Sequence, residues 1–222
     1  MSKRDHPEFQ RARQPAQIEQ RREAILQAAL LLFQLRGLEN VSLNDIAREV
    51  GLAKSNIYRY FESREHIYLV VLQRLAAQFE ERIYTELENL KGKRTVAKVA
   101  DALIAAYLAS PEYGELITVV NSVLERRLTP ELVVNFRTVF LERRKRLATA
   151  LAAALGTAPE KTLQPTLHIF LHVPGLWTFC FPRRESKMLL EEPPHRHLLV
   201  DFETEMTSFL RAILIMTTST TP

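Results

Sequence analysis

Residues 54–59 of this 222-residue chain bring several hydrogen-bond donors into one short stretch. A helix from about Lys54 to Tyr60 would turn Ile57 inward and leave an outward face that carries amine, hydroxyl, amide and guanidinium groups. The residues of that face are Lys54, Ser55, Asn56, Tyr58 and Arg59. Such donors match the acceptors on base edges and phosphates, so a helix of this kind fits the major groove of duplex DNA.

A short helix just before this stretch would hold the donor-rich face in place. Ser42 can cap its first turn, and apolar residues then recur at helical spacing. These residues are Leu43, Ile46, Ala47 and Val50. Gly51 follows, where a helix usually ends in the left-handed conformation that glycine adopts at little cost. Residues 42–61 are therefore predicted to form a helix-turn-helix, although helical hairpins with a glycine turn also occur in all-α cores.

The same segment resembles the DNA-binding signature of the tetracycline-repressor (TetR/AcrR) regulators. That signature has the form Ile-Ala-x-x-x-Gly-(aliphatic)-x-x-x-x-(aliphatic)-Tyr-x-(Tyr/His)-Phe, followed by a basic residue. The matching residues are Ile46, Ala47, Gly51, Leu52, Ile57, Tyr58, Tyr60, Phe61 and Arg64. The resemblance extends upstream to a predicted helix over 19–36. The family often has glycine at the position of Asn56 and lysine at that of Arg64, so this chain gains an amide and keeps the charge.

The resemblance implies a homodimer that binds a palindromic operator in double-stranded DNA and is released by a small-molecule effector. It implies that Lys54, Asn56 and Arg59 contact bases or phosphates, with Ser55 on the same face. Tyr58 and Tyr60 would contribute packing and backbone contacts, and Ser42 and Arg64 would clamp phosphates on either side. The protein could activate transcription instead of repressing it, because its sequence does not reveal the position of the operator.

The whole chain is predicted to be all-α, with a three-helix domain followed by a larger helical domain. Glycines are few, and apolar residues recur at three and four positions nearly throughout. We expect a flexible basic arm over residues 1–18, the helix-turn-helix domain over 19–66, and an effector-binding and dimerisation domain over 67–222. The arm is interpreted either as a solubilising tail or as an extension that contacts DNA.

Composition and the N-terminal sequence favour a cytoplasmic protein without a membrane partner. The net charge of +4 permits DNA binding without requiring it. The longest apolar runs are too short or too interrupted for a bilayer span, and the first residues are polar. A single cysteine, Cys180, excludes an internal disulfide.

Behind the first domain we predict a long helix that begins after Ser63 and ends near Gly92. Further helices are expected at 95–109, 112–128, 130–155, 163–181 and 195–216, with an exposed loop over 182–194. Pro174 should kink or split the fourth of these helices. Apolar residues on the last helix form a seam: Leu199, Phe202, Met206, Phe209 and Ile213. The seam could close the domain's own core or meet a second copy, and the resemblance favours the dimer interface.

The effector, of unknown identity, would bind among the middle helices if the resemblance holds. The candidate lining residues are Tyr107, Asn121, Phe136, Phe140, His168 and Trp177, although each alone also fits an ordinary core. His168 and His172 have metal-ligand spacing, but no acidic or thiol ligand is adjacent, so we expect no metal.

Other chemistry finds little support in the sequence. The basic run over 143–146 spans a full helical turn and is interpreted as a solvated face. We find no glycine-rich phosphate loop, nucleophile elbow or paired carboxylates, and so expect no enzymatic activity and no cofactor. The rival function is a helical ligand-binding or protein-interaction protein whose hairpin does not read DNA.

Overall fold

The computed structural model describes residues 7–92, 94–119 and 125–218. Every long element in this part of the chain is an α-helix, which confirms the predicted all-α class. In chain order the helices are α1 (Pro7–Arg36), α2 (Leu43–Glu49), α3 (Lys54–Ile57), α4 (Arg64–Glu88), α5 (Val96–Leu108), α6 (Pro111–Val119), α7 (Pro130–Leu155), α8 (Pro159–Cys180), α9 (Arg184–Leu190) and α10 (Phe202–Thr218). Short 3-10 turns lie at Leu38–Asn40, Glu125–Arg127 and Arg196–Leu198.

The chain divides into two compact units, Met1–Gln73 and Arg74–Pro222. The first unit packs α1 against α2 and α2 against α3, and it also contains the opening turns of α4. Ile25 and Ala29 of α1 are fully buried in its core. The Tyr68 hydroxyl donates a hydrogen bond of 3.2 Å to the carbonyl of Ala29, which ties α4 to α1 inside this unit. Residues 7–18, which we predicted to be a flexible arm, lie within α1.

The second unit is a bundle in which α8 packs against α6, α7 and α10, and α10 also packs against α5. An aromatic cluster fills the region where these helices meet. The ring centroids of Phe79 and Tyr113 are 4.5 Å apart, those of Phe79 and Tyr107 are 4.4 Å apart, and those of Trp177 and Phe202 are 5.1 Å apart. All five side chains are at most 4% exposed, so the cluster is part of the hydrophobic core.

Helix α7 has the bounds that the sequence predicted, because both of its ends carry local signals. The Thr129 hydroxyl accepts a hydrogen bond from the backbone N–H of Leu132, and Pro130 occupies the first turn. Gly156 ends the helix in the left-handed conformation, with φ of 66°.

Four of the segments predicted in the second unit differ clearly from the structure. Helix α8 begins at Pro159, because a proline in the first turn has no N–H that would need a partner. It continues through Pro174, where we predicted a kink or a split, and is not split there. The predicted loop at 182–194 contains α9, none of whose residues is buried. Helix α10 begins at Phe202, because the Asp201 carboxylate accepts hydrogen bonds from the backbone N–H and the hydroxyl of Thr204. Where we predicted one helix over 112–128, the structure has α6, which ends at Val119, and a 3-10 turn at Glu125–Arg127. Residues 120–124 lie outside the described part of the chain.

The basic run on α7 is not the solvated face that we predicted. Arg143 and Arg146 lie 3.3 and 3.6 Å from the carboxylate oxygens of Glu80, which is 7% exposed. The side chain of Arg143 is itself only 17% exposed. A buried carboxylate needs such partners, so α7 turns part of this run towards α4 within the second unit.

The seam of the last helix closes the core of its own chain. Phe202 and Met206 are at most 2% exposed and Ile213 is 8% exposed, so these three are not available as a surface for a second copy. Phe209 is half-buried and stacks on His172, with ring centroids 3.9 Å apart. Leu199 lies before the helix and is exposed. The interface that we predicted on this face is therefore wrong for the three buried residues, because α5 and α8 already cover them.

Candidate nucleic-acid interface

Helix α2 opens with a capping box. The Ser42 hydroxyl accepts a hydrogen bond from the backbone N–H of Asp45, and the Asp45 carboxylate accepts one of 2.9 Å from the backbone N–H of Ser42. Hydrogen bonds from the side chain and backbone of Ser42 lower the pKa of Asp45, and the charges of Arg48 and Arg36 lower it further. The cap that we predicted at Ser42 is confirmed, and it fixes where α2 begins.

The turn between α2 and α3 depends on Gly51. Its φ of 66° lies in the left-handed region, where a side chain would be strained. The backbone N–H of Leu52 donates to the carbonyl of Ala47 at 2.9 Å and so closes the turn. Ile46 and Ile57 are fully buried and Ala47 is 3% exposed, so the two helices meet through small and branched apolar side chains.

Helix α3 ends at Ile57, three residues before the predicted end at Tyr60, and the predicted donors lie on its exposed side and on the turn that follows it. Lys54, Ser55, Asn56 and Arg59 are exposed, and Tyr58 is 52% exposed. Tyr60 is half-buried just beyond the helix. Neither Lys54 nor Arg59 forms an ion pair among the residues that the structure describes. The unit therefore presents two cations, an amide and two hydroxyls within six residues of exposed chain next to the turn at Gly51.

Arg64 lies elsewhere in the unit and has a different environment. Its guanidinium donates to the carbonyls of Leu38 and Val41, at 3.2 and 2.7 Å, and pairs with Glu65 at 2.8 Å. Its side chain is 16% exposed. The Ser42 hydroxyl, which we also assigned to a phosphate, bonds to the Asp45 carboxylate. In this conformation both groups stabilise the fold of the motif. The two side chains that we predicted to bind phosphates on either side of α3 are therefore bonded to groups of the protein itself.

Sequence reasoning missed two residues that surround the end of the motif. Arg22 of α1 donates a hydrogen bond of 2.8 Å to the carbonyl of Tyr60, and its guanidinium lies 4.6 Å from the centre of the Phe61 ring. His66 meets the same ring edge to face, with centroids 5.6 Å apart. The contacts of Arg22 join positions about 38 residues apart in the sequence, and the periodicity of apolar residues gives no signal for these contacts or for that of His66.

His66 also completes the start of α4. Its Nδ1 accepts a hydrogen bond of 3.3 Å from the backbone N–H of Glu62, and the backbone N–H of His66 donates to the Ser63 hydroxyl at 3.0 Å. His66 stands where a capping box usually has glutamate or glutamine, three residues after Ser63. The imidazole serves as the acceptor instead. The N–H that it accepts from belongs to Glu62, one residue before the Ser63 N–H that a capping box would use.

We expect the first unit to lose stability as the pH falls below about 6.5, the ordinary pKa of histidine. Burial lowers the pKa of His66; the nearby Arg22 also lowers it, against an opposing effect of Glu62. The unfolded chain therefore binds a proton more readily than the folded one between the ordinary and the lowered pKa. Stability is complete above this window and decreases through it, because protonated Nδ1 cannot accept from Glu62.

Urea unfolding of the first unit, followed by circular dichroism between pH 7.5 and 5, measures this loss. His66→Gln should remove the loss of stability below pH 6.5, whereas His197→Gln, at an exposed histidine of the second unit, should leave it in place. The same loss in both variants would show that His66 is not its source.

The effector candidates do not line one site. Tyr107 and Trp177 belong to the closed aromatic cluster, where burial raises the pKa of Tyr107. Phe136 and Phe140 are half-buried on α7, and Phe140 packs against Phe170 with centroids 5.1 Å apart. His168 lies on the exposed side of α8, 3.3 Å from Gln164, and so does not point into the core. The sixth candidate, Asn121, lies outside the described residues.

In the described part of the chain, no group of three or more histidine, cysteine, aspartate or glutamate side chains is arranged to hold a metal ion. None of the helices found there has the length and apolar character needed to cross a bilayer.

A capped helix, a glycine turn and an exposed donor-bearing helix define the first unit as a helix-turn-helix domain. Residues 25–71 match the family model described as bacterial regulatory proteins of the tetR family, and residues 71–215 match the tetracyclin repressor-like C-terminal domain. Together these matches cover most of the chain. The chain therefore belongs to the tetR family of transcriptional regulators.

Individual relatives agree with this placement over part of the chain. The chain is 32% identical over 76 residues to the HTH-type transcriptional regulator HbdR of Aromatoleum sp. (strain CIB), a match that covers 34% of this chain and 33% of that protein. It is 38% identical over 53 residues to an HTH-type transcriptional regulator of Staphylococcus aureus, covering 24% of this chain and 29% of that protein. The matches thus span about a third of the length of these relatives.

Solved structures extend the likeness to the second unit. A chain from Rhodococcus sp. RHA1 aligns with a TM-score of 0.62 and 16% sequence identity, covering 89% of this chain and 99% of that one. At this identity the alignment establishes the shared fold, with a helix-turn-helix domain followed by a helical body.

Proposed function

We propose that this protein is a repressor that binds a palindromic DNA operator as a homodimer and is released when a small molecule binds its second unit. The observation that carries the proposal is the exposed surface formed by Lys54 and Asn56 of α3 and by Arg59 in the turn after it, next to the α2–α3 turn at Gly51. An amide can read adenine and a guanidinium can read guanine or bind phosphate. A protein that acts on an operator works in the bacterial cytoplasm.

The homodimer would use a different face of the last two long helices from the one that the sequence suggested. Helix α8 exposes Leu171 and Phe179, which are 62% and 68% exposed, on either side of the small residue Gly175. Helix α10 exposes Ile215 and Met216, which are 53% and 75% exposed. Apolar side chains exposed on two helices that pack together in one chain support pairing with the same two helices of a second copy.

Release by an effector follows from linkage. A small molecule that binds better to a form of the dimer with misplaced reading helices lowers DNA affinity by its differential affinity for the two forms. The effector is proposed to bind among the helices of the second unit, where half-buried aromatic residues such as Phe136 and Phe140 offer apolar contacts.

The test is binding to duplex DNA from the region that flanks the protein's own coding sequence. We expect salt-sensitive binding that is stronger than to random duplex, with two protein copies per site by sedimentation. Asn56→Ala and Arg59→Ala should each weaken binding by about 1–3 kcal/mol, or roughly 5- to 150-fold, because each removes a side chain that contacts DNA.

Arg82→Ala is the control for charge, since Arg82 is an exposed arginine on α4 in the second unit. It should leave affinity almost unchanged. Equal binding to every duplex, or no binding at all, would favour the rival function of a helical ligand-binding or protein-interaction protein that does not read DNA.

A further inference from the structure

Two arginines of the first unit direct their guanidinium groups into the fold instead of towards solvent. Arg22 lies on α1 and its side chain is 31% exposed, whereas that of Arg64, at the start of α4, is 16% exposed. Arginine is the most expensive common side chain to bury without partners, so its hydrogen bonds identify what it does. Both arginines donate to backbone carbonyls that flank the helix-turn-helix.

At the exit of the motif, Arg22 holds the peptide group between Tyr60 and Phe61. Its Nη1 donates to the carbonyl oxygen of this group at 2.8 Å, and the N–H of the same group donates to the carbonyl of Ile57 at 3.1 Å. The guanidinium plane also covers the ring of Phe61, which is 1% exposed. The peptide group that ends the reading helix is thus bonded to α1 on one side and to α3 on the other.

At the entry of the motif, Arg64 holds the peptide group between Val41 and Ser42 in the same way. Its Nη1 donates to the Val41 carbonyl at 2.7 Å, and the Ser42 N–H of that group donates to the Asp45 carboxylate at 2.9 Å. A second bond to the carbonyl of Leu38 fixes the 3-10 turn before it. The peptide group whose N–H takes part in the capping box of α2 is therefore also bonded to an arginine 23 residues away from Val41 in the sequence.

We propose that Arg22 and Arg64 are positioning residues of the DNA-reading unit, which fix the exit and the entry of the helix-turn-helix and do not bind phosphate. The proposal rests on the proposed DNA-binding function. It predicts that removing either guanidinium lowers DNA affinity through the orientation of α3, while the number of phosphates that the protein neutralises stays the same.

The first test measures operator affinity against salt concentration for the full-length protein. Arg22→Met should lower affinity about tenfold, the effect of losing a hydrogen bond to a charged group, and leave the slope of log K against log salt unchanged. Arg22→Lys and Arg64→Lys should fail to restore wild-type affinity, since an ammonium cannot both stack on a ring and form the forked bonds. Arg82→Lys is the matched control and should bind as the wild type does.

A phosphate contact gives the opposite pattern: the slope falls by about 1 in Arg22→Met and lysine restores binding. That result, or wild-type affinity in the methionine and lysine variants, would overturn the proposal. If Arg22→Met does not fold, the lysine variants, which keep the charge, decide the question at a temperature where circular dichroism shows them folded.

The second test does not need DNA. Native-state hydrogen exchange should be faster at the Phe61 amide in Arg22→Lys and at the Ser42 amide in Arg64→Lys, by about tenfold, with each variant leaving the other amide protected. Unchanged exchange at both amides would contradict the positioning role. If the wild type selects no DNA duplex but the exchange results hold, the proposed function fails while the two arginines still position the motif.

Discussion

Replacing Glu80 by alanine should lower the free energy of unfolding of the second unit by about 3 kcal/mol, because it removes one member of a buried ion pair. Glu80 is 7% exposed and Arg143 lies 3.3 Å from its carboxylate with a side chain that is 17% exposed. Arg146, the second partner, is 57% exposed and contributes little. Without the carboxylate, the Arg143 charge remains in a poorly solvated position between α4 and α7.

Urea unfolding measured by tryptophan fluorescence gives this change directly, since Trp177 is the only tryptophan of the chain and lies in the second unit. Glu81→Ala is the matched control, because the neighbouring glutamate is exposed and its loss should change stability by no more than about 0.5 kcal/mol. Similar effects of the two replacements would mean that the pair with Arg143 contributes no stability beyond that of a surface contact.

Gly114→Ala should destabilise the second unit by about 1–3 kcal/mol, the usual effect of overfilling a well-packed core. Gly114 lies on α6 directly against the indole of Trp177, and a Cβ there would overlap the ring. The ring cannot move away easily, because Phe181 and Phe202 pack on it with centroids 4.5 and 5.1 Å distant. We also expect the fluorescence of Trp177 to shift to longer wavelength as its surroundings open.

Gly175→Ala on α8 is the control when stability is measured on the monomer, since residue 175 lies in the proposed dimer face, and its effect there should have the opposite sign. A Cβ at residue 175 would have no atom within 4 Å, and alanine favours a helix interior over glycine by about 0.5–1 kcal/mol. If both replacements stabilise the protein, the indole does not restrict residue 114, and α6 and α8 pack more loosely than their contacts indicate.

These two sites limit where an effector can act. Trp177 and Tyr107 were candidates for its pocket, but their tight packing against Gly114 and Phe79 makes them part of the core that the effector-binding unit needs to fold. A ligand that enters among them must separate aromatic rings in contact. The half-buried Phe136 and Phe140 on α7 can contact a ligand without such a rearrangement.

Local signals were enough to predict much of the fold. The Ser42 cap, the turn at Gly51 and the burial of Ile57 each depend on residues within one or two turns of one another, and the structure agrees at all three. The bounds of α7 follow likewise from Thr129, Pro130 and Gly156. Where such signals were weak the predictions failed, as at the short exposed α9 and at the start of α10, whose Asp201 cap we overlooked.

The sequence by itself therefore determined the all-α class, the helix-turn-helix and the donor-bearing face of α3, because the period of apolar residues and the conformations open to serine, glycine and proline are local properties. Only the tertiary structure decided which charged side chains point inward. Arg22, Arg64 and Arg143 look like surface cations in the sequence, and their partners lie 38, 23 to 26, and 63 residues away. The tertiary structure also decided that the seam of α10 packs into the core of its own chain. An apolar stripe has the same sequence pattern whether it packs in a core or in a dimer interface, so only the neighbouring helices distinguish the two.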